Sequence, residues 1–296
     1  MADETEGHDR PLISVVMPVR NGMPWIEEQL HALSTQRGIA NWEAVIADNG
    51  STDGTRDCVE RWSARDPRVR LVDASARPGA GAARNAGVRA ARCSMVAFCD
   101  ADDVAQPGWL EALQKGLADS DLVAGVFDMG SLNGRQESHP IPPATQQLGF
   151  LPFALGANLA VRRHAFEAVG GFRERITEEH LDLLIGEDVD LCWRMQLAGF
   201  RFTSTAEAIV AKRGRSSGRE TLRTGWAYGR CGPALFRHYR AKGMKRNLRG
   251  AAKSWAWLIA KSPHLLSPSR RSDWLRVFGV RTGRLAGSLT HRVFFP

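Results

Sequence analysis

A chain of 296 residues, 43% of them hydrophobic, can bury one large core or a main domain with an appendage. No apolar run approaches the ~20 residues that cross a bilayer, and the acidic opening MADETEGHDR lacks the basic-then-apolar order of a signal peptide, so a cytosolic address is expected. The net charge of +8 is unevenly spread: residues 212–296 hold twenty Lys or Arg against Glu220 and Asp273, a formal +18, which leaves −10 on the first 211 residues. Two regions with different partners are expected, with a boundary near KRGRSSGRE. The five cysteines (Cys58, Cys93, Cys99, Cys192, Cys231) show no CxxC spacing and suggest neither a disulfide framework nor a thiolate metal site, only buried, reduced thiols.

In chain order, the runs LISVVMPV, EAVIA, VRLVDA, MVAFCDA and LVAGVF read as strands, and helical patterns fill the connections. In MPWIEEQLHAL, Pro24 suits a first helical turn, and Ile26, Leu30 and Leu33 fall on one face. TRDCVERWSA, AARNAGVRAA and GWLEALQKGLA supply the next three helices. Such strand-helix alternation predicts an α/β fold with a mostly parallel, Rossmann-like sheet covered on both faces.

Ligands of such sheets sit beyond the carboxyl ends of the strands, and the loops there are polar. They are Pro18-Val19-Arg20-Asn21 after the first strand, Asp48-Asn49-Gly50-Ser51-Thr52-Asp53 after the second, and Asp100-Ala101-Asp102-Asp103 after the fourth. GAGAARNAG imitates a Gly-rich dinucleotide loop, but it has Arg84 where the fingerprint needs Gly and lies far downstream of the first strand. No G-K-[ST] triplet exists, which excludes a P-loop.

Carboxylates as close as Asp100, Asp102 and Asp103 push one another toward protonation unless a cation neutralises them. A hard divalent ion, Mg²⁺ or Mn²⁺, would do so and would bridge to a substrate diphosphate. The plainer alternative is that these residues cap the helix at QPGWLEAL, and D-x-D alone leaves both open.

Six motifs in order, SVVMPVRNG, VIADNGSTDGT, GAGAARNAG, FCDADD, GANLAVRRHAFEAVGGF and GEDVDLCWRMQLAGFRF, resemble the family-2 glycosyltransferases, inverting enzymes with a GT-A fold. The resemblance covers residues 11–215 and implies a nucleotide-sugar half (about 11–127) and an acceptor half (about 128–215). It implies that Pro18, Arg20, Asn21, Asp48, Asn49 and Ser51 hold the nucleoside, that Arg84 and Asn85 face the nucleotide, and that Asp100 and Ala101 line the donor. Asp100 and Asp102 would carry the metal. Asp48 is the first choice for accepting a hydrogen bond from a pyrimidine N–H, although Asn49-Gly50-Ser51 also reads as a plain turn with Ser51 or Asp53 capping the next helix.

The resemblance further makes Asp188 the general base, with Glu187 orienting the acceptor, although acidic residues in a first helical turn are favoured by the helix dipole alone. Leu191, Cys192, Met195 and Ala198 are expected as the apolar stripe of that helix, with Trp193 in the core. Where many relatives carry a histidine soon after this helix, the chain reads AIVAKRGRSSG, so Lys212, Arg213 or Arg215 would neutralise phosphate charge instead. The Q-x-x-R-W signature of processive synthases is missing, which favours one sugar per encounter. The implied activity is transfer of a sugar from a nucleotide-diphosphate donor, UDP favoured, to a glycan, lipid-linked or small-molecule acceptor. A catalytically inactive sugar-nucleotide or glycan-binding module of the same fold is the alternative.

Residues 216–296 mix Arg and Lys with Trp, Leu and Phe at helical spacing. They are expected to be basic amphipathic helices that pack on the catalytic domain or lie on an anionic inner membrane face, with Trp226, Trp255, Trp257 or Trp274 at headgroup level. The charge alone would suit nucleic acid, but no motif for it is present.

Overall fold

The computed structural model describes residues 12–133, 148–174, 186–214 and 217–296. Two compact units are formed. The first takes the described residues of Met1–Gln146 with Pro152–Glu174 and Leu191–Arg213, and the second those of Gln147–Leu151 and Arg175–Asp190 with Gly214–Pro296. The chain crosses last between the units after Arg213, and the residues just before Leu191 group with the second unit.

The first unit is built on one sheet in the order β3-β2-β1-β4-β7-β6-β8-β5. Its strands are β1 Ile13–Val19, β2 Trp42–Asp48, β3 Val69–Asp73, β4 Met95–Cys99, β5 Val104–Ala105, β6 Leu122–Asp128, β7 Asn158–Arg162 and β8 Phe202–Ala211. The β1–β2, β2–β3, β1–β4 and β6–β8 pairings are parallel. β4–β7, β6–β7 and β5–β8 are antiparallel, so the sheet is mostly parallel, as expected, with an antiparallel part that makes it mixed. Continuous apolar runs such as that of β1 are buried on both faces, as a central strand flanked by helices requires.

Helices α1 Ile26–Ser34, α2 Thr55–Arg65, α3 Ala80–Ala90 and α4 Trp109–Gly116 occupy the crossovers, and α5 Arg163–Ala168 follows β7. Ile26, Leu30 and Leu33 of α1 are buried as their spacing predicts. Pro24 lies before the helix, joined to Met23 by a cis peptide, and not in its first turn. α3 packs closely on β1 because Gly87 faces Val16, whose side chain any Cβ there would overlap.

α6, Glu187–Leu197, begins in the second unit and ends in the first. Leu191, Cys192, Trp193 and Met195 are fully buried, and Trp193 meets Phe153 edge to face with ring centres 6.3 Å apart. Ala198 falls beyond the helix end and is exposed, so it does not belong to the stripe. The cysteines are all free and buried.

The second unit holds α7 Gly218–Tyr239, α8 Leu248–Ala260 and α9 Pro268–Thr290. α7 and α9 touch backbone to backbone: a Cβ on Gly283 would overlap the Trp226 carbonyl oxygen, and one on Gly229 that of Val280. Tyr239 is fully buried and donates its hydroxyl to Asp190 Oδ1 at 2.6 Å.

Candidate active site

The carboxyl ends of β1, β2 and β4 lie side by side, and the loops that leave them frame a cleft of about 480 Å³. Pro18, Arg20, Asn21, Asn49, Arg84, Asp100, Ala101 and Asp102 line it, together with Trp25 and the first residues of α3. Gly79 begins α3 at φ 118°, a conformation that favours glycine, and no acidic side chain occupies the helix's first turn. The amino end of α3 thus offers backbone N–H groups, and the positive end of its dipole, to an anion in the cleft.

The first two loops are tied to each other. Asn21, at φ 54°, donates its backbone N–H to Ser51 Oγ at 2.9 Å and accepts from Thr52 N–H at 2.8 Å. Gly22 donates to Thr55 Oγ1 at 2.8 Å and Met23 to Asp53 Oδ2 at 3.2 Å. Asp53 also accepts from Thr55, so it braces the loop, and α2 has no side-chain cap. Asn49 donates to the carbonyls of Ala74 and Arg77 at 2.6 and 2.8 Å and accepts from Gly79 N–H at 2.9 Å, which fixes the approach to α3.

Three residues expected at the ligand are not among those lining the cleft. Asp48 is fully buried, paired with Arg56 at 2.8 Å and accepting from Ser51 N–H, and is not among the residues lining the cleft. Ser51 is spent on Asn21 and also stands outside the lining. Asn85 clamps the segment after Gly171: it donates to the Phe172 carbonyl at 2.7 Å and Glu174 at 2.9 Å, and accepts from Phe172 N–H at 2.9 Å. Its polar atoms are therefore committed to the fold.

The carboxylates of Asp100, Asp102 and Asp103 come within 4.8 Å of one another. They do not cap α4, whose N-cap is Gly108 without a side-chain bond. Arg84 pairs with Asp100 Oδ1 at 2.8 Å, its guanidinium set between Gly156 and the Phe172 ring. Lys212 Nζ lies 2.8 Å from Asp103 and 3.7 Å from Asp100. Asp103 is 1% exposed and also accepts from Arg213 N–H at 3.0 Å. Burial pushes its carboxyl up to about 6, with Asp100 and Asp102 adding to the rise and Lys212 opposing it. Burial also works against the Lys212 ammonium, but the carboxylates of Asp100, Asp103 and Asp102 overcome it and hold this lysine above its ordinary range. Arg213 donates to the Asp102 carbonyl at 3.1 Å and stacks over Trp25 at 3.9 Å.

The three carboxylates of this cluster differ in what they face. Asp103 is committed to Lys212 and the backbone, whereas Asp100 and Asp102 line the cleft. Two carboxylates lining one cleft form a hard oxygen donor set of the kind that suits Mg²⁺ or Mn²⁺. Sequence reasoning missed Gln29, a fully buried amide that donates to the Asp100 carbonyl at 3.2 Å and accepts from Ala105 N–H at 2.9 Å. The signal was present as a polar residue on the apolar face set by Ile26, Leu30 and Leu33.

Glu187 and Asp188 open α6 within the second unit, and both are half-buried. Asp188 Oδ1 accepts from Val189 N–H at 2.8 Å. Burial raises the Cys231 thiol well above its ordinary range, and the charges of Asp188 and Glu187 add to the rise.

A mixed sheet with flanking helices, whose strand ends frame an acidic, arginine-lined cleft, defines the GT-A class of fold. Mannosyltransferase PcManGT from Pyrobaculum calidifontis, solved with GDP-Man and Mn²⁺, superposes with a TM-score of 0.63 at 20% identity, covering 96% of this chain and 88% of that one. S. aureus TarS, solved with UDP-GlcNAc, gives 0.53 at 18% identity, covering 96% and 93%. The family model for Glycosyl transferase family 2 matches residues 14–177, more than half of the chain, and the protein belongs to that family. Glycosyltransferase AglE of Haloferax volcanii is 28% identical over 67% of this chain and 66% of its own length. The pre-mycofactocin glycosyltransferase of Mycobacterium tuberculosis is 28% identical over 80% of this chain, which spans about half (52%) of that relative.

Proposed function

We propose that the protein transfers one sugar, with inversion, from a nucleotide-diphosphate sugar to an acceptor hydroxyl on a lipid-linked, glycan or small-molecule acceptor. The observation that carries this reading is the cleft itself, where Arg20, Arg84 and the amino end of α3 meet Asp100 and Asp102 at the ends of β1 and β4. Support comes from PcManGT and TarS, which hold GDP-Man with Mn²⁺ and UDP-GlcNAc on the same fold. UDP remains the favoured base, with dTDP and GDP as competitors.

In this mechanism Arg20 and the α3 N–H groups take the diphosphate, and Arg84 and Lys212 balance the acidic loop. Asp100 and Asp102 would hold a divalent cation, which supplies charge neutralisation at the departing diphosphate. Asp188 receives the proton of the acceptor hydroxyl, and Glu187 orients the acceptor.

The test is a thermal-shift panel of UDP-, dTDP- and GDP-sugars, with and without Mn²⁺ or Mg²⁺, on the wild type and on Asp102→Ala. Ligand binding to the native state raises the midpoint by mass action. One nucleotide should give a metal-dependent shift that is absent in the variant. An unchanged shift in Asp102→Ala would remove Asp102 from the metal site. Donor binding with no turnover on any acceptor would leave a binding module.

A further inference from the structure

The second unit carries a surface that the donor cleft does not use. Helix α8 buries Ala251 and Leu258 on one side. On the adjoining solvent-facing side Leu248, Ala252, Ala256 and Ile259 recur every three or four residues and are exposed. The turn Ser262–Leu266 continues this stripe, and the exposures are large for aliphatic side chains: Leu248 54%, Ile259 76% and Leu266 85%. Arg249, Lys253 and Lys261 stand exposed beside them. Between Thr221 and Ser272 the sequence contains twelve Lys or Arg and no acidic residue. Trp255 and Trp257 are half-buried on the same helix, and Trp274 of α9 donates its indole N–H to the Leu258 carbonyl at 3.0 Å, which anchors α8.

A helix whose apolar stripe extends from its buried edge into solvent, with cations and no carboxylates beside it, matches a surface that is both oily and negative. We propose that this outer face of α8, with the turn to Leu266, seats the protein on an anionic phospholipid bilayer. Leu248, Ile259 and Leu266 enter the boundary between headgroups and acyl chains, while Arg249, Lys253 and Lys261 lie among the phosphates. The exposed aliphatics favour a bilayer over a polynucleotide, which binds through cations and aromatic stacking and gains nothing from isoleucine or leucine. No described helix is long and apolar enough to cross a membrane, so the contact lies in the interface plane. The inference deepens the acceptor reading above, because a lipid-carried acceptor is presented at such a surface.

The test is co-sedimentation of the full chain with vesicles of phosphatidylcholine alone and of phosphatidylcholine mixed with phosphatidylglycerol. The wild type should sediment with the anionic vesicles, less so at high salt, and not with the neutral ones. Ile259→Glu with Leu266→Glu, and separately Arg249→Glu with Lys253→Glu, should each lower partitioning by about tenfold or more. All four positions are exposed, and unchanged unfolding midpoints would show that the variants are folded. Failure of the wild type to bind vesicles, wild-type binding by the Ile259/Leu266 variant, or binding to an oligonucleotide but not to vesicles would each overturn the proposal. The donor-dependent thermal shift, measured on the same preparations, reports separately on the catalytic reading.

Discussion

Replacing Lys212 by Met removes an ammonium while keeping most of the side chain's bulk. In the wild type that ammonium lies 2.8 Å from Asp103, which is 1% exposed. Without it Asp103 keeps the Arg213 N–H at 3.0 Å but loses its compensating charge. Deleting one partner of a buried ion pair costs about 3–5 kcal/mol, which at about 2–4 °C per kcal/mol lowers the unfolding midpoint by roughly 6–20 °C. The loss must also depend on pH in a defined direction. The folded-state pKa of Asp103, about 6, lies above its ordinary 3.8, so the native chain holds this proton more tightly than the unfolded one. That stabilisation is full below 3.8, declines as pH rises through about 6, and is constant above it. Removing Lys212 raises the folded value further, so the variant keeps losing stability where the wild type has levelled. Thermal unfolding with a chelator present should give a small gap between the two proteins at about pH 5 and a wide one at about pH 8. Adding Asp103→Asn to the variant should recover most of the loss at the higher pH. An equal gap at both pH values, or no recovery in the double variant, would refute the reasoning.

Asp188→Asn should lower the turnover rate by about 10²–10⁴-fold while the donor-dependent thermal shift stays as in the wild type; normal turnover would remove Asp188 from the role of base. Tyr239→Phe deletes the 2.6 Å bond to the buried Asp190 carboxylate and should cost about 1.5–3 kcal/mol in chemical denaturation; a loss below about 0.5 kcal/mol would mean that its other partners satisfy Asp190. Gly283→Ala should destabilise by about 1–3 kcal/mol, although alanine is the better helix former, because its Cβ overlaps the backbone of Trp226. A gain in stability would show that α7 and α9 can separate without loss.

The half of the fold built from strand-helix alternation was legible because burial on both faces leaves long apolar runs. LISVVMPV and EAVIA became β1 and β2 almost residue for residue. β7 and β8 were not read as strands. β7 opens on Asn158 and ends on Arg162, so only Leu159, Ala160 and Val161 mark it, and β8 is polar along its first part, where Thr203, Ser204, Thr205 and Glu207 interrupt the pattern. Those two strands make the antiparallel pairings that turn a parallel sheet into a mixed one. At the site, residue types predicted which loops gather but not where each side chain points. Asp48 and Asn85 are the types a nucleotide site uses, yet both are bound into the scaffold by Arg56 and by the Phe172–Glu174 segment, partners that lie 8 residues and about 90 residues away (87 and 89). The sequence suggests Lys212 as a cation for phosphate charge, and the structure pairs it with the acidic loop instead. Its partner is a buried carboxylate 109 residues upstream, a pairing that no local pattern announces.

Gln29 separates two properties of the acidic loop that usually travel together. Its amide grips the loop at both ends, through the Asp100 carbonyl and the Ala105 N–H, and carries no charge. A neutral strut thus holds the loop's backbone, while Arg84 and Lys212 hold its carboxylates and balance their charge. Substitution at Gln29 can move the loop without altering its charge, whereas substitution at Arg84 or Lys212 removes both a charge and a 2.8 Å contact to a carboxylate of the loop. Gln29 is therefore the position at which the geometry of the loop can change while its electrostatic balance stays as it is.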